Sequence, residues 1–369
     1  MEITNLTFIV SDDCNYNCFY CPQKKEKKTI NNTIIETAVD FFYPFLKNGR
    51  KNRIGFYGGE PLLAFEHIKH AALLVEGKNK TGNKHIEFSV TTNGSLLTKE
   101  MLAFFQTHKF GLMLSFDGLA QEMRKKDSLD KMVRVMKSVQ EYPNIDFEIN
   151  SVFSPRTIGR FSESLRFIIE QGGPEITFNL STIEEWNPAD ISTLKEELER
   201  LVDFLVLYYK EKGVIPVKNF QARIPGRDSG PGIFRCNAGK DHISVSPDGK
   251  LWGCYLFHDF FKAVEGSPNN RCGDYCYGTL TDFIGGYKKS YPEITANYSQ
   301  LCQDFFQVEG RETQFCFLCE EVEKCSVCPV YAAYSTGSLG KISCSQCKLI
   351  KMQRNALKRF NVSGGLLFY

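Results

Sequence analysis

Residues 4–23 read TNLTFIVSDDCNYNCFYCPQ, an apolar run followed at once by three cysteines. The run Thr4–Val10 predicts a β-strand. The CxxxCxxC spacing then places Cys14, Cys18 and Cys21 on the loop at the carboxyl end of that strand, where parallel folds bind their ligands. Three thiolates can hold three irons of a 4Fe-4S cube and leave the fourth iron open, as a catalytic cluster requires.

Strand and helix patterns alternate from this loop to about residue 213. Further strands are predicted at Arg53–Tyr57, Ile86–Thr92, Gly111–Phe116, Phe147–Phe153 and Ile176–Leu180. Helices are predicted at Thr33–Leu46, Leu62–Val75, Lys99–Thr107, Ser128–Glu141, Thr157–Glu170 and Asp190–Lys212. Six such units favour an α/β fold with a parallel sheet wrapped by helices, either an open doubly wound sheet or part of a barrel.

The pattern changes after Gly213, where a segment rich in Pro, Gly and Arg begins. Beyond it lie eleven of the fourteen cysteines. We therefore predict a first domain over residues 1–213, a linker over 214–235 and a small cysteine-rich domain over 236–369.

Composition narrows the possible functions. A net charge of +2 and 42% hydrophobic residues over 369 positions describe an ordinary globular protein without the basic excess of a nucleic-acid binder. We find no export signal and no run of about 18 apolar residues, so we expect a cytoplasmic protein with no membrane partner. A reducing compartment keeps ordinary thiols reduced, so the cysteines indicate metal ligation in preference to disulfides.

Polar motifs follow the next three strands. The second strand ends in FYGGEPLL, where Gly58 and Gly59 let the backbone approach a ligand closely and Glu60 can receive an ammonium group. The third ends in TTNG with Asn93, and the fourth in SFDG with Ser115. Turns and helix caps explain the last two motifs nearly as well as a ligand site does.

The cysteine loop, with Tyr20 before the third cysteine, resembles that of the radical S-adenosylmethionine (radical SAM) superfamily, and GGEP resembles its second motif. The resemblance implies a partial (β/α)6 TIM-type barrel in which the open iron chelates the amino and carboxylate groups of S-adenosylmethionine. Reductive cleavage would then give a 5′-deoxyadenosyl radical. The implied cofactor-binding residues are Tyr20, Gly58, Gly59, Glu60, Asn93, Ser115 and Leu180, the last through its backbone.

The cysteine-rich region resembles the SPASM extension of radical SAM enzymes, which holds two auxiliary 4Fe-4S clusters. CNAGKDHISVSPDGKLWGC spans residues 236–254, with Pro-Asp-Gly predicting a hairpin turn, and CFLCEEVEKCSVC spans 316–328. The resemblance implies a first auxiliary cluster on Cys236, Cys254 and Cys328. It implies a second on Cys316, Cys319, Cys325 and either Cys347 or Cys344.

This region departs from the SPASM pattern in two ways. Two residues instead of three separate Cys325 from Cys328, and the long gap after Cys254 contains three more cysteines, any of which could complete the first cluster: Cys272, Cys276 and Cys302. The alternative is a pair of structural zinc sites, because CxxC pairs also suit tetrahedral zinc.

Enzymes with this extension mostly modify peptides or proteins, so the resemblance favours ribosomal peptide maturation through a thioether or carbon-carbon crosslink. A sulfatase-maturing enzyme that generates formylglycine is an alternative. In such enzymes an Asp follows the second SPASM cysteine, whereas here Tyr255 follows Cys254 and Asp259 is the nearest downstream carboxylate.

Two further alternatives stay open. A peptide epimerase would return hydrogen from a free cysteine, for which Cys272, Cys276 and Cys302 are candidates. The other is a non-enzymatic zinc or iron-sulfur scaffold. As partners we expect a peptide or protein substrate and an electron donor such as flavodoxin or ferredoxin. Only thirteen residues precede Cys14, so leader-peptide recognition is expected to need a separate protein or another surface.

Overall fold

The fold is seen in a computed structural model, which describes residues 1–221, 236–266, 271–303, 307–308, 319, 325, 327–339 and 341–365. Most of the predicted linker lies outside these residues, and so does the predicted ligand Cys316. For Cys302 the structure describes the backbone of its helix and not its side chain.

Six parallel strands form the first part of one continuous sheet. They are β1 Asn5–Ser11, β2 Lys51–Gly58, β3 His85–Thr92, β4 Gly111–Ser115, β5 Asp146–Phe153 and β6 Ile176–Leu180. Neighbours in sequence are neighbours in the sheet, in the order β6-β5-β4-β3-β2-β1. The predicted α/β class with a partial parallel barrel is confirmed, because the strands are parallel and a helical connection joins each strand to the next one in the sheet.

The helices of this part are α1 Asn32–Phe42, α2 Phe65–Gly82, α3 Lys99–Thr107, α4 Gln121–Arg124, α5 Leu129–Gln140, α6 Phe161–Glu170 and α7 Pro188–Lys212. The prediction that α1 continues to Leu46 is wrong. The helix ends at Phe42 and a 3-10 turn covers Tyr43–Phe45, because Pro44 has no N–H for the helical ladder. Likewise, Pro61–Ala64 form a 3-10 turn, so α2 begins at Phe65 instead of Leu62.

Aromatic side chains fill the core between neighbouring strands. The register pairs Phe8 with Phe56, and their rings stack at 6.1 Å between centroids. Phe110 stacks on both Phe56 at 5.9 Å and Phe88 at 5.1 Å. Each buried phenylalanine contributes about 1.5–3 kcal/mol relative to exposure, so this stack holds the strand ends in fixed positions.

Three strands from the cysteine-rich region extend the same sheet beyond β1. They are β7 His242–Val245, β8 Lys250–Trp252 and β9 Cys276–Thr279. β7 is parallel to β1, and β8 runs antiparallel to both β7 and β9. The predicted hairpin is confirmed, with Gly249 at φ +74° closing its turn. Its attachment to β1 means that the cysteine-rich region continues the barrel sheet; the division into domains stays a prediction.

The remaining elements lie around the end of this sheet. They are α8 Tyr255–Ala263, α9 Leu280–Gln303, β10 Gln307–Val308, α10 Pro329–Thr336, β11 Lys341–Ile342 and α11 Cys344–Ser363. α11 packs along α7, where Arg359 pairs with Asp203 at 2.6 Å. Of the helices that the structure describes, none is both long enough and apolar enough to cross a bilayer.

Candidate active site

The three-cysteine loop leaves the end of β1 and is fixed by its own hydrogen bonds. The N–H of Cys14 donates to Asp13 Oδ1 at 2.9 Å, and that of Cys21 donates to the carbonyl of Cys18 at 3.1 Å. Burial raises the pKa of Cys21 to about 11 and also raises the pKa of Cys14. Thiols in such surroundings become thiolates when a metal supplies positive charge, so the loop fits a metal cluster.

Gly58 and Gly59 let the β2 end approach the cysteine loop. The N–H of Gly59 donates to the carbonyl of Ser11 at 2.8 Å, and that of Glu60 to the carbonyl of Asp13 at 2.8 Å. A Cβ added to Gly59 would lie 2.3 Å from the Asp13 oxygen, and one added to Gly58 would lie 2.1 Å from the Ser11 oxygen. In the structure the two glycines approach the loop itself, and their predicted contact with a ligand stays a prediction.

Glu60 and Asn93 meet behind the same loop. The Glu60 carboxylate accepts hydrogen bonds from Thr92 Oγ1 at 2.6 Å, from the N–H of Leu62 at 3.0 Å and from the N–H of Asn93 at 2.8 Å. Burial raises the pKa of Glu60 despite these donors. The Asn93 side chain in turn donates to Asn15 Oδ1 at 2.9 Å. Glu60 is fully buried, and its predicted contact with an ammonium group stays a prediction.

Tyr20 and Ser115 belong to a network centred on Arg124, which the sequence analysis missed. Tyr20 donates to Asp117 Oδ2 at 2.5 Å. Arg124 donates through Nη1 to the Ser115 carbonyl at 2.7 Å and through Nε to Cys18 Sγ at 3.3 Å. Burial works against the charge of Arg124, but Tyr20, Asp117 and Cys18 together raise its pKa. The sequence signal that could have indicated Arg124 is its position at the end of α4, the short helix that follows the SFDG motif.

Leu180 is the last residue of β6, as Ser115 is of β4. The two residues therefore lie at the same carboxyl end of the parallel strands, two strands apart. Its side chain is partly buried. The predicted contact of its backbone with adenine stays a prediction.

Asp259 of α8 reaches the cysteine loop from the C-terminal region. Its Oδ2 accepts hydrogen bonds from Gln23 Nε2 at 2.9 Å and from the Tyr57 hydroxyl at 3.2 Å. Burial raises the pKa of Asp259 to about 6 although these donors lower it. The Tyr57 ring also packs on Tyr255, with 3.8 Å between centroids. Asp259 is therefore a buried acid whose pKa lies well above its ordinary value but still below neutral pH.

A cavity of about 10 Å³ adjoins Asp259, which is room for about one water molecule. It lies between the cysteine loop, the β2 end and α8. The residues around it are Asp12, Gln23, Lys24, Gly59, Asp259 and Lys262.

Three of the predicted auxiliary ligands come together beside α8. Burial raises the pKa of Cys254, and the neighbouring Cys236 and Cys328 add to the effect. In the described residues no group of three or more His, Cys, Asp or Glu has the close spacing that one metal ion needs. A 4Fe-4S cube binds its thiolates through separate irons, so a wider spacing is compatible with a cluster.

The other cysteines are more scattered. Cys272 and Cys276 lie at the edge strand β9 near Lys250, where burial raises the pKa of Cys272 to about 11. Cys344 and Cys347 share the first turn of α11. Cys319 and Cys325 are partly buried, in stretches where only single residues are described.

The fold and site define a partial barrel with three cysteines at the carboxyl end of the first strand, where they could hold a metal cluster. Residues 8–168 match the model of the Radical SAM superfamily. This part of the chain is therefore a Radical SAM domain, and that family implies a 4Fe-4S cluster and S-adenosylmethionine.

Known proteins resemble this chain over shares that range from less than half of its length to nearly all of it. The radical SAM cyclopropyl synthase TigE of Paramaledivibacter caminithermalis is 24% identical over an alignment of 335 positions that covers 82% of this chain and 68% of that protein. A cysteine-type anaerobic sulfatase-maturating enzyme of Clostridium novyi is 24% identical over 44% of this chain and 46% of its own length. Native anSMEcpe, solved with AdoMet and the Cp18Cys peptide, superposes with a TM-score of 0.73 at 19% identity, covering 99% of this chain and 100% of that one. That likeness establishes a common fold.

Proposed function

We propose that this radical SAM enzyme modifies a peptide or protein side chain, with ribosomal peptide maturation by a thioether or carbon-carbon crosslink as its reaction. The observation that carries the proposal is the buried carboxylate of Asp259, which α8 delivers to the cysteine loop. An oxidative crosslink removes a hydrogen atom, a proton and an electron from the substrate, so a proton acceptor is needed beside the radical site.

Cys14, Cys18 and Cys21 would hold the cluster, which together with S-adenosylmethionine would supply the radical chemistry that removes hydrogen from the substrate. Arg124 holds Cys18 and offers positive charge at the same place. Asp259, with a pKa of about 6, is ionised at neutral pH and takes the substrate proton on Oδ2, where Gln23 and Tyr57 orient it.

The C-terminal cysteines would hold the group that accepts the remaining electron. Cys236, Cys254 and Cys328 would hold an auxiliary cluster, and Cys254 directly precedes α8, the helix that carries Asp259. A cluster at these cysteines would lie near the proton acceptor and would supply the electron acceptor that the loss of two hydrogens requires. The peptide-bound neighbour anSMEcpe supports a peptide or protein as the substrate.

Formylglycine generation is the second candidate, and the position of Asp259 favours it. Tyr255 occupies the place after Cys254 where sulfatase-maturing enzymes carry an Asp. Asp259 lies about one helical turn further along α8 and turns its carboxylate toward Tyr57 and Gln23. It could therefore supply the missing carboxylate.

The test is anaerobic reconstitution with iron and sulfide, followed by reduction in the presence of S-adenosylmethionine and candidate peptides. Iron, zinc and 5′-deoxyadenosine are measured in one sample, and the peptides are analysed by mass spectrometry. Loss of two hydrogens without a hydrazine-reactive aldehyde indicates a crosslink, because conversion of Ser to formylglycine also removes two hydrogens. A hydrazine-reactive aldehyde at a Cys or Ser indicates formylglycine, and an unchanged mass with inverted stereochemistry indicates epimerisation.

The matched control is the triple variant Cys14→Ala, Cys18→Ala and Cys21→Ala, which should form no 5′-deoxyadenosine. Cofactor cleavage that persists in this variant contradicts the assigned cluster site. Zinc without iron and without cofactor cleavage in the wild type contradicts the enzymatic proposal as a whole.

A further inference from the structure

Two side chains of α8 hold Asp12, the residue that enters the cysteine loop. Asp12 Oδ1 lies 3.1 Å from His258 Nε2, and Asp12 Oδ2 accepts a hydrogen bond from Lys262 Nζ at 2.6 Å. Lys262 also lies 3.1 Å from the carboxylate of Glu26, which follows the loop. Both ends of the cysteine loop therefore meet at one lysine.

The backbone closes the loop at the same place. The N–H of Asp12 donates to the carbonyl of Lys28 at 2.9 Å, and the N–H of Glu26 donates to the carbonyl of Asp12 at 3.2 Å. The segment between Asp12 and Glu26 is therefore a loop whose two ends are joined by backbone hydrogen bonds, and it contains all three cysteines of the radical site. Whatever holds Asp12 and Glu26 also sets where these cysteines lie.

The contacts to α8 are buried. Asp12 is 8% exposed and His258 6%, while the Lys262 side chain is 13% exposed. Charged groups interact strongly in such surroundings, and removal of one partner leaves the other charge without compensation. A second ion pair joins the same two segments, Lys24 with Glu265 at 3.1 Å, but it is open to solvent, where ion pairs contribute little.

The other end of α8 belongs to the second cysteine group. The helix begins directly after Cys254, whose carbonyl accepts the N–H of Phe257 at 3.1 Å. Cys254 in turn has Cys236 and Cys328 as neighbours. One nine-residue helix thus touches both cysteine sites, at its start and through its last turn.

We propose that α8 positions the radical-site loop, with His258 and Lys262 as positioning residues, and thereby couples the order of that loop to occupation of the Cys236, Cys254 and Cys328 site. A ligand that fixes the start of α8 fixes Lys262 and with it Asp12 and Glu26. Such coupling is reciprocal, so a cluster on the loop also favours a filled second site. The inference does not depend on the substrate or on the reaction proposed above.

The experiment is amide hydrogen exchange followed by mass spectrometry on the full chain, reconstituted anaerobically, with iron per chain measured in the same samples. The variants are Lys262→Met, Cys254→Ala and the two combined. In peptides covering residues 11–28 we expect each single variant to exchange at least roughly tenfold faster than the wild type, because a tenfold change corresponds to loss of one charge-assisted hydrogen bond. Peptides of α7 should be unchanged.

The combined variant distinguishes coupling from two separate defects. If α8 transmits the effect, Cys254→Ala should add little once Lys262→Met is present. Additive effects, or a loop unaffected by Cys254→Ala, would overturn the proposal. Lys262→Arg should restore protection, and Glu265→Gln, which removes only the exposed pair, should match the wild type. Should Lys262→Met fail to fold, His258→Gln replaces it with the same expected pattern.

Discussion

Replacing Gly59 with Ala tests how tightly the cysteine loop is set against β2. The new Cβ would lie 2.3 Å from the Asp13 carbonyl oxygen and 3.0 Å from Cys14 Cβ. Since non-bonded atoms need about 3.5 Å, the loop must retreat by about 1 Å. The hydrogen bond from Glu60 N–H to Asp13, now 2.8 Å, cannot survive that retreat. Overpacking of this kind costs about 1–3 kcal/mol.

Catalysis should suffer more than stability, because a displacement of about 1 Å at a reacting site can cost about 100-fold in rate. We expect Gly59→Ala to lower the thermal midpoint modestly and to slow 5′-deoxyadenosine formation about 100-fold, measured anaerobically at matched iron content. Gly77→Ala is the matched control, since its Cβ meets nothing within 4 Å and it lies inside α2. If both variants cleave S-adenosylmethionine at the same rate, the close approach does not position the loop.

Asp259→Asn should reduce peptide product about 100-fold or more while 5′-deoxyadenosine still forms, because only the proton acceptor is lost. In the wild type the rate of product formation should rise as the pH passes upward through about 6, where Asp259 becomes ionised; a flat profile would exclude it as the base. Tyr57→Phe removes a hydrogen bond that lowers the pKa of Asp259, so this rise should move to higher pH. Arg124→Met leaves Asp117 buried without its cation and should lower the free energy of unfolding in urea by about 3–5 kcal/mol. The matched Arg156→Met, which removes an exposed arginine paired with Glu184, should change it by less than about 1 kcal/mol.

Local patterns were sufficient for the parallel strands and for the loop that carries the cysteines. Strand β6 has the predicted bounds Ile176–Leu180, and β3 differs from its prediction by one residue. Short apolar runs between polar turns define such strands without help from the rest of the chain. Helix ends were less predictable, since Pro44 and Pro61 turned predicted helical ends into 3-10 turns.

Residues brought together by tertiary contacts could not be predicted in this way. Nothing near Asp12 in sequence indicates His258 or Lys262, which lie more than two hundred positions away in the chain. His258 is buried against Asp12 and belongs to no sequence motif. Arg124 likewise could be assigned to the site only from its hydrogen bond to Cys18. Such groups become visible only when the fold places them beside the motifs.

The pairing of β1 with β7 also has a consequence for synthesis on the ribosome. Asn5 pairs with His242 and Phe8 with Val245. One edge of β1 therefore stays unpaired until β7 has been synthesised. At about 5–20 residues per second, the roughly 240 intervening residues take about 12–50 s to emerge. During that interval the nascent chain presents an unpaired, apolar strand edge, which is a known route to aggregation. Chaperone binding to the growing chain should therefore begin early and end only after the β7–β8 hairpin has emerged.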